Sequence, residues 1–206
     1  MRHPRILMTL ILLLSVGVFQ VQAQLVKFSF GIEGGGYGTY INSTPQLYPP
    51  FGYGGYGGAN FELRIGRVVG FYVEGIYSYQ TANHTLNTSP EIDVNLTRTY
   101  VHIPVSLHLW MGSGVIFEVG FQQSINISSK YTEGYLEIDP DEGALKYYTS
   151  LTAGFKFNMG KVVYLNIRGT YGLSPSYVVN GTGFPEITAS VGLGFRLYTY
   201  RKSVFK

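Results

Sequence analysis

Apolar side chains alternate with polar or small ones along long stretches of this chain. One stretch carries apolar residues at every second position, namely Val101, Ile103, Val105, Leu107 and Leu109, and the stretch from Val115 to Phe121 repeats the pattern. A period of two places the apolar side chains on one face of a β-strand. Segments of about ten residues with one apolar and one polar face are typical of strands that cross a membrane within a β-barrel.

The same alternation, bounded by turn residues, predicts eight strands. Their ranges are 26–40, 53–66, 70–81, 93–110, 115–129, 144–159, 162–173 and 186–198. The connections alternate between short ones (66–70, 111–114 and 160–161) and long ones (41–52, 82–92, 130–143 and 174–185). Outer-membrane barrels have short periplasmic turns and longer extracellular loops. We therefore predict an all-β fold, an eight-stranded antiparallel up-and-down transmembrane β-barrel with both chain ends on the periplasmic side.

Alternation alone does not say which face points inward, so a soluble lipocalin-like barrel with an apolar cavity is the alternative. From the third strand onward the odd-numbered positions are apolar, and the first strand has the opposite parity. The interior of an eight-stranded barrel is barely wide enough for side chains, and the large apolar residues would overfill it. An Arg or Lys facing lipid at the bilayer midplane costs about 2 to 4 kcal/mol, and the apolar faces carry none. The pattern thus favours the membrane barrel.

The N-terminal segment has the features of a secretory signal. Arg2 and Arg5 precede an apolar stretch over 6–18, and small residues lead to Ala23. An apolar stretch of about 13 residues is shorter than the roughly 20 residues that a spanning helix needs. We predict a signal peptide over 1–23, cleaved after Ala23, and an outer-membrane β-barrel domain over 24–206.

Composition excludes several classes of protein. Removal of Arg2 and Arg5 lowers the formal charge from +3 to +1, and no basic run remains for nucleic-acid binding. The absence of Cys excludes disulfides and thiolate metal sites. The chain has 27 Gly, 18 Tyr and 13 Phe with only 13% charged residues, which disfavours both disorder and a helical bundle. After residue 23 no apolar run is long enough for a spanning helix, so a membrane crossing requires a closed barrel.

Aromatic residues near the predicted strand ends suggest two girdles at the membrane surfaces. The set near the long loops is Tyr37, Tyr40, Tyr53, Tyr56, Tyr79, Tyr147, Tyr148 and Tyr171. The set near the short turns is Trp110, Phe157, Tyr164, Tyr198 and Tyr200.

The positions predicted to face inward carry charges of both signs. They are Lys27, Glu33, Glu62, Arg64, Glu74, Arg98, His102, His108, Glu118, Lys146, Lys156, Arg168 and Arg196. Opposite charges in a narrow lumen should pair, because an isolated buried charge is costly. A turn centred on Ser113 places His108 opposite Glu118. A turn centred on Val68 would place Glu62 opposite Glu74, with Arg64 diagonal to both.

This charge network is open to two interpretations. It either plugs the lumen or lines a polar path for small solutes. A catalytic interpretation rests on His102, Ser106, His108 and Glu118, which are close in strand space, but these side chains point away from lipid. We therefore predict no enzymatic activity, catalytic residue, cofactor or metal.

The predicted long loops offer a surface for an extracellular ligand or protein. They contain Leu47, Tyr48, Phe51, Tyr135, Tyr177, Val178, Val179 and Phe184, together with an acidic group of Asp139, Asp141 and Glu142 and the isolated His84. Exposed apolar residues can mark a partner surface, although loops that pack on one another would also explain them. We interpret the acidic group as a solvated turn and His84 as a loop residue.

Two motifs resemble those of a known family. The segment Tyr100-Val-His-Ile-Pro-Val-Ser-Leu, followed by Phe117-Glu-Val-Gly-Phe, resembles the PorT-like, porin-like outer-membrane β-barrel family of Bacteroidetes-type, Gram-negative bacteria. The closing stretch Ser190-Val-Gly-Leu-Gly-Phe-Arg-Leu is similar to the family's last strand and to the signal read by the barrel-assembly machinery, through Gly192, Phe195 and Leu197. It departs from that signal in being followed by 199–206.

The resemblance implies a location in the cell outer membrane, with outer-membrane lipid and the barrel-assembly machinery as partners, and carries over no catalytic residue. Together with the lumen charges, it predicts a small integral barrel with a largely plugged lumen. Such a protein would have a structural, binding or adhesion role through its outer loops, and the alternative is a narrow porin-like channel.

Overall fold

A computed structural model describes residues 25–41, 51–86, 92–112, 114–133, 136–138, 145–179 and 182–203. Within these ranges the strands are β1 (Leu25–Ile41), β2 (Phe51–Ile65), β3 (Val69–Leu86), β4 (Ile92–Met111), β5 (Val115–Glu133), β6 (Leu136–Ile138), β7 (Tyr147–Asn158), β8 (Val163–Gly172), β9 (Tyr177–Val179), β10 (Thr182–Phe184) and β11 (Glu186–Ser203). Eight of these form a closed antiparallel ring in the order β1-β2-β3-β4-β5-β7-β8-β11, and β11 pairs with β1. The predicted eight-stranded up-and-down barrel is confirmed.

Three tight turns join β2 to β3, β4 to β5 and β7 to β8. Each contains a glycine with a positive φ, of 70° at Gly66, 76° at Gly112 and 108° at Gly160. Glycine reaches this conformation without the steric cost of a Cβ. The adjoining strands therefore stay paired up to the turns, as in the pairing of Ile65 with Val69. These turns are the short connections predicted from the sequence.

The long connections contain more β-structure than the sequence predicted. β3 and β4 stay paired as far as Leu86 and Ile92, and β5 continues to Glu133 and pairs with β6. His84, predicted to be a loop residue, is part of β3 and pairs with Val94. Apolar alternation arises from contact with lipid, so strand segments that extend past the membrane lack it. The acidic group of Asp139, Asp141 and Glu142, and the predicted loop residues Leu47, Tyr48 and Tyr135, lie outside the described residues.

The outer face of the ring is apolar. Phe61 is 45% exposed, Val105 50% and Leu193 47%, and similar residues cover the other strands. The inverted parity of β1 is confirmed, with Phe30 and Ile32 exposed and Glu33 buried. A continuous apolar surface around a closed ring requires a non-aqueous environment.

Among the described residues, no helix has the length and apolar character needed to cross a membrane.

A β-bulge in β11 changes the parity of the last strand. Phe30 pairs with Tyr198 but Gly31 pairs with Arg196, so Leu197 is the extra residue. A bulge of this kind turns the following side chains by one position, and Tyr198 and Tyr200 consequently point outward, 61% and 47% exposed. The strand then continues to Ser203, beyond the end at residue 198 that the alternation predicted.

The predicted aromatic girdles are only partly correct. Tyr53, Tyr79, Tyr147 and Tyr171 are exposed toward the long connections, and Phe157, Tyr198 and Tyr200 toward the turns. Trp110, Tyr148 and Tyr164 are instead buried, and Tyr37 and Tyr56 are half-buried. Each of these five lies on the inward parity of its strand, so it fills the lumen rather than contacting a membrane surface.

Candidate functional site: a polar lumen

A buried arginine joins two carboxylates at the centre of the lumen. Arg168 on β8 donates from Nε to Glu118 Oε1 on β5 at 2.5 Å and from Nη2 to Glu74 Oε2 on β3 at 2.9 Å. All three side chains are at most 5% exposed. Such charge-assisted hydrogen bonds are stronger than neutral ones. This contact connects three strands across the interior of the barrel.

Gly154 on β7 makes room for this contact. It pairs with Glu118 on one side and Arg168 on the other. A Cβ at this position would lie 2.5 Å from the Ile167 carbonyl oxygen and 3.1 Å from Glu118 Oε1. The absence of a side chain therefore lets the carboxylate and the guanidinium meet across β7.

Lys156 is the second buried cation of the cluster. Its Nζ lies 3.6 Å from Glu33 Oε2 and 3.6 Å from Glu118 Oε2. It also lies 3.5 Å from the centre of the Tyr72 ring, where the negative face of the ring attracts a cation. Glu33 accepts further hydrogen bonds from Asn166 Nδ2 at 2.6 Å and from the Tyr56 hydroxyl at 3.1 Å.

His108 extends the cluster toward the tight turns. Its Nε2 lies 3.3 Å from Glu118 Oε2, and its Nδ1 lies 3.5 Å from Glu62 Oε2. The ring stacks on Tyr72 with the ring centres 4.4 Å apart. His108 also pairs with Glu118 in the ladder, which confirms the predicted register of β4 and β5. Ser113, the predicted centre of this turn, lies outside the described residues.

The predicted register of β2 and β3 is wrong by two positions. Glu62 pairs with Tyr72, Asn60 with Glu74, and Arg64 with Gly70, so the turn is centred on residue 67 rather than 68. The positive φ of Gly66 allows this tighter turn. Glu62 therefore contacts His108 on β4, two strands away, instead of Glu74 on the adjacent strand.

A second polar layer lies nearer the long connections. Arg98 Nη1 lies 3.5 Å from Glu186 Oε2, and both side chains are buried. His102 lies between two hydroxyls, with Nε2 2.8 Å from Ser78 Oγ and Nδ1 2.7 Å from Ser124 Oγ. A cavity of about 40 Å³ is lined by Glu186, Tyr148 and His102, and reaches Arg168. This volume is large enough for a few water molecules.

Four other predicted lumen charges do not join the central cluster. Arg64 lies over the Trp110 ring at 4.3 Å, and Arg196 Nη2 donates to Asn158 Oδ1 at 2.6 Å. These two residues and Lys27 are half-buried at the end of the barrel near the tight turns. Lys146 precedes β7 and is exposed beside Tyr147, so its predicted inward position is wrong.

The proposed catalytic side chains do not form a nucleophile–base pair in the part of the chain that the structure describes. Ser106 Oγ is buried without a hydrogen-bond partner, and both ring nitrogens of His108 lie near carboxylates. Within the described ranges, no group of three or more His, Asp or Glu side chains is arranged to hold a metal ion.

The sequence did not single out several members of the cluster. Tyr72, Asn166 and Glu186 are inward-facing residues that contact Lys156, Glu33 and Arg98, respectively. Tyr56, predicted as a girdle residue, donates a hydrogen bond to Glu33. Their parity predicts an inward direction, but their partners lie on distant strands. Closure of the ring was needed to identify those partners.

A closed ring of eight strands with an apolar exterior and a charged, paired interior defines an integral β-barrel of the outer-membrane class. The protein is accordingly located in an outer membrane, with its apolar face in contact with lipid.

Solved outer-membrane barrels are similar to this chain, and the first of those described below shares its fold. Neisserial surface protein A (NspA) has a TM-score of 0.58 at 14% identity, covering 82% of this chain and 99% of that one. Ail, the attachment invasion locus protein of Yersinia pestis, has a TM-score of 0.49 at 14% identity, covering 86% and 100%. OprG from Pseudomonas aeruginosa has a TM-score of 0.40 at 8% identity, covering 86% and 95%. No protein-family model and no curated protein matches the sequence.

Proposed function

We propose that the barrel is a structural and binding protein of the outer membrane whose lumen does not conduct. The observation that carries this proposal is the Arg168 contact with Glu118 and Glu74, with Lys156 beside it. These side chains extend from opposite parts of the ring into the same central volume. Opening a path would separate buried ion pairs, and removing one partner of such a pair costs about 3 to 5 kcal/mol.

Planar-bilayer recording tests the plugged lumen. The wild-type barrel should give no reproducible single-channel steps at physiological salt. The double variant Glu118→Ala, Arg168→Ala should give small steps, because it removes the central contact with one charge of each sign and frees Glu74 from Arg168. Lys146→Ala, which changes an exposed residue outside the lumen, should remain silent. Steps from the wild-type barrel would contradict the plug and establish the alternative, a narrow channel for small solutes.

We infer a binding role at the cell surface from the unequal lengths of the strands. The pairing of β2 with β3 is described as far as Tyr53 and Thr81, whereas β3 and β4 remain paired to Leu86 and Ile92. Five more residues per strand correspond to roughly 17 Å. β5 and β6 continue the same sheet. This projecting sheet lies beyond the exposed tyrosines of the outer girdle, and sheet edges can pair with extended segments of other proteins.

Replacing residues 83–94 by a tight turn tests this role. Cells displaying the shortened barrel should lose attachment to immobilised extracellular-matrix proteins, while the barrel still folds because the membrane-spanning pairs remain. Replacing the turn over 160–161 by another tight turn at the opposite end is the control. Unchanged attachment after removal of the projecting sheet would contradict the proposed binding surface.

We also propose membership of the PorT-like family, on the support of the Tyr100-Val-His-Ile-Pro segment. Pro104 has no backbone N–H, and the described pairing of β3 with β4 skips Pro104 and Ile103. A Pro in a central strand is unusual, which makes this segment a distinctive marker. Homologues of this chain should therefore retain Pro at this position of the fourth ring strand.

Processing and assembly are further proposals. N-terminal sequencing of the protein from outer membranes should begin at Gln24 if the signal peptide is removed after Ala23.

Phe195 and Leu197 point outward on the last strand, 42% and 58% exposed, where the assembly machinery could read them together with Gly192. Phe195→Ala should lower the amount of folded barrel in cells. The stability of the purified variant after refolding in detergent should change little.

Lipid-modifying catalysis is the least supported alternative, because Ser106 is buried inside the barrel. A mass change in lipid A or phospholipid that depends on Ser106 would establish it.

A further inference from the structure

Positive charge collects at the end of the lumen near the tight turns, which is the periplasmic mouth. Lys27 on β1 pairs with Arg64 on β2 and with Arg201 on β11. Three cations are thus directly opposite one another on three neighbouring strands. Like charges at such positions destabilise a sheet, so this arrangement is not explained by the stability of the barrel.

All three side chains lie on the inward parity of their strands. Lys27 and Arg64 follow the pattern of the buried Ser29 and Glu62. Arg201 is exposed and lies beyond the bulge, on the same face as Thr199, whose hydroxyl is 3.4 Å from Ser29 Oγ. Arg196 adds a fourth positive charge, which repels both Lys27 and Arg64.

No carboxylate neutralises this mouth within the part of the chain that the structure describes. Glu62 acts electrostatically on both Lys27 and Arg64, but its carboxylate lies 3.5 Å from His108 Nδ1. None of Lys27, Arg64, Arg196 or Arg201 has a carboxylate partner within 4.0 Å among the described residues.

Arg64 is held in place but not fully hydrogen-bonded. Its guanidinium lies over the Trp110 ring at 4.3 Å and donates from Nη2 to the backbone oxygen of Arg67. Its Nε is buried and has no hydrogen-bond partner. A fixed guanidinium with a free donor is suited to an oxyanion, because its planar donors match the oxygens of phosphate.

We propose that the periplasmic mouth is a binding site for a phosphate-type oxyanion, with Lys27, Arg64 and Arg201 as its ligands and Arg196 as a supporting charge. The inward direction of these side chains favours phosphate on a soluble molecule over a phospholipid headgroup, which would approach from the outer face. The exposed Arg67 and Lys161 lie in tight turns at this end of the barrel and attract anions to it.

Thermal unfolding of the full barrel in neutral detergent tests the site with inorganic phosphate as the probe. At constant ionic strength, replacing chloride by phosphate should raise the wild-type midpoint in a saturable manner, because a ligand of the folded state stabilises it. Arg64→Gln with Arg201→Gln should weaken phosphate binding by at least about tenfold, since each lost charge-assisted hydrogen bond is costly. Lys146→Gln, an exposed cation at the opposite end, should respond like wild type.

The same double variant gives a second, independent result. Without phosphate at low salt, it should unfold at a higher temperature than wild type, because the like-charge repulsion is reduced. At saturating phosphate, the wild-type barrel should instead unfold at the higher temperature. An unsaturable wild-type response, or equal responses of wild type and the double variant, would overturn the proposal.

Liposomes distinguish the two sources of phosphate. In phosphatidylcholine vesicles with and without phosphatidylglycerol, a soluble ligand predicts that inorganic phosphate raises the midpoint in both. A headgroup ligand predicts that inorganic phosphate raises the midpoint only in neutral detergent, because phosphatidylcholine and phosphatidylglycerol both carry a phosphate that already fills the site. No rise in any of these conditions would contradict the site.

Discussion

At the scale of single residues, the lumen depends on where side chains are absent as much as on where charges are present. Gly154 is the residue of β7 that lies between Glu118 and Arg168. Because glycine has no side chain, the two oppositely charged groups reach each other. Lys156 and His108 then fill the volume on either side, each in contact with Glu118. The cluster is thus a set of shared partners, and a change at one member affects several others.

Gly154→Ala should destabilise the barrel by about 1 to 3 kcal/mol, because the added Cβ would overpack a site in contact with backbone. Gly169→Ala on the adjacent strand is the matched control, since a Cβ there would meet its nearest atom at 3.8 Å, an ordinary contact. Urea unfolding in lipid vesicles measures both changes. Equal stability of the two variants would show that the glycine is not needed for the ion contact.

At the scale of elements, β11 contains the main irregularity of the ring. Before the bulge at Leu197 the outward residues have odd numbers, as at Phe195, and after it they have even numbers, as at Tyr198. Strand pairing with β1 continues through the bulge to Ser203, so the last strand closes the ring along the full length of β1.

Deletion of Leu197 should therefore be tolerated, because Arg196 then precedes Tyr198 in regular inward and outward alternation. Deletion of Leu193 should prevent folding, since it turns a long part of the strand to the wrong face. After refolding of each purified variant in detergent, which does not depend on the assembly machinery, the difference in gel mobility between boiled and unboiled samples reports the folded fraction. A folded Leu193 deletion, or an unfolded Leu197 deletion, would contradict the assigned bulge.

At the scale of the whole molecule, stability depends on two different surroundings. The exterior presents apolar residues such as Leu193 to lipid, while the interior pairs its charges away from water. This arrangement reverses that of a soluble barrel, which keeps its apolar side chains inside.

Leu193→Arg should cost about 2 to 4 kcal/mol in vesicles, because it places a charge on the lipid-facing side of the ring. Val68→Arg is the control, because Val68 is 56% exposed at a tight turn outside the apolar band. Refolding titrations in vesicles compare the free energies of unfolding of these two variants. A purified barrel that stays monodisperse in buffer without detergent would contradict the assignment of the apolar face to the exterior and the charged face to the interior.

The sequence alone determined the number of ring strands, their approximate ends and the direction of nearly every side chain, because alternation follows directly from contact with lipid on one face. It also predicted the pairing of His108 with Glu118 from the position of a short turn. The register of β2 and β3 was not predicted correctly, because their turn is centred one residue earlier than the alternation indicated. Only the tertiary structure decided that Arg168 contacts Glu118 and Glu74, and that Trp110 fills the lumen beneath Arg64. Those contacts depend on how far each strand slides along its neighbour when the ring closes, and alternation carries no information about that displacement.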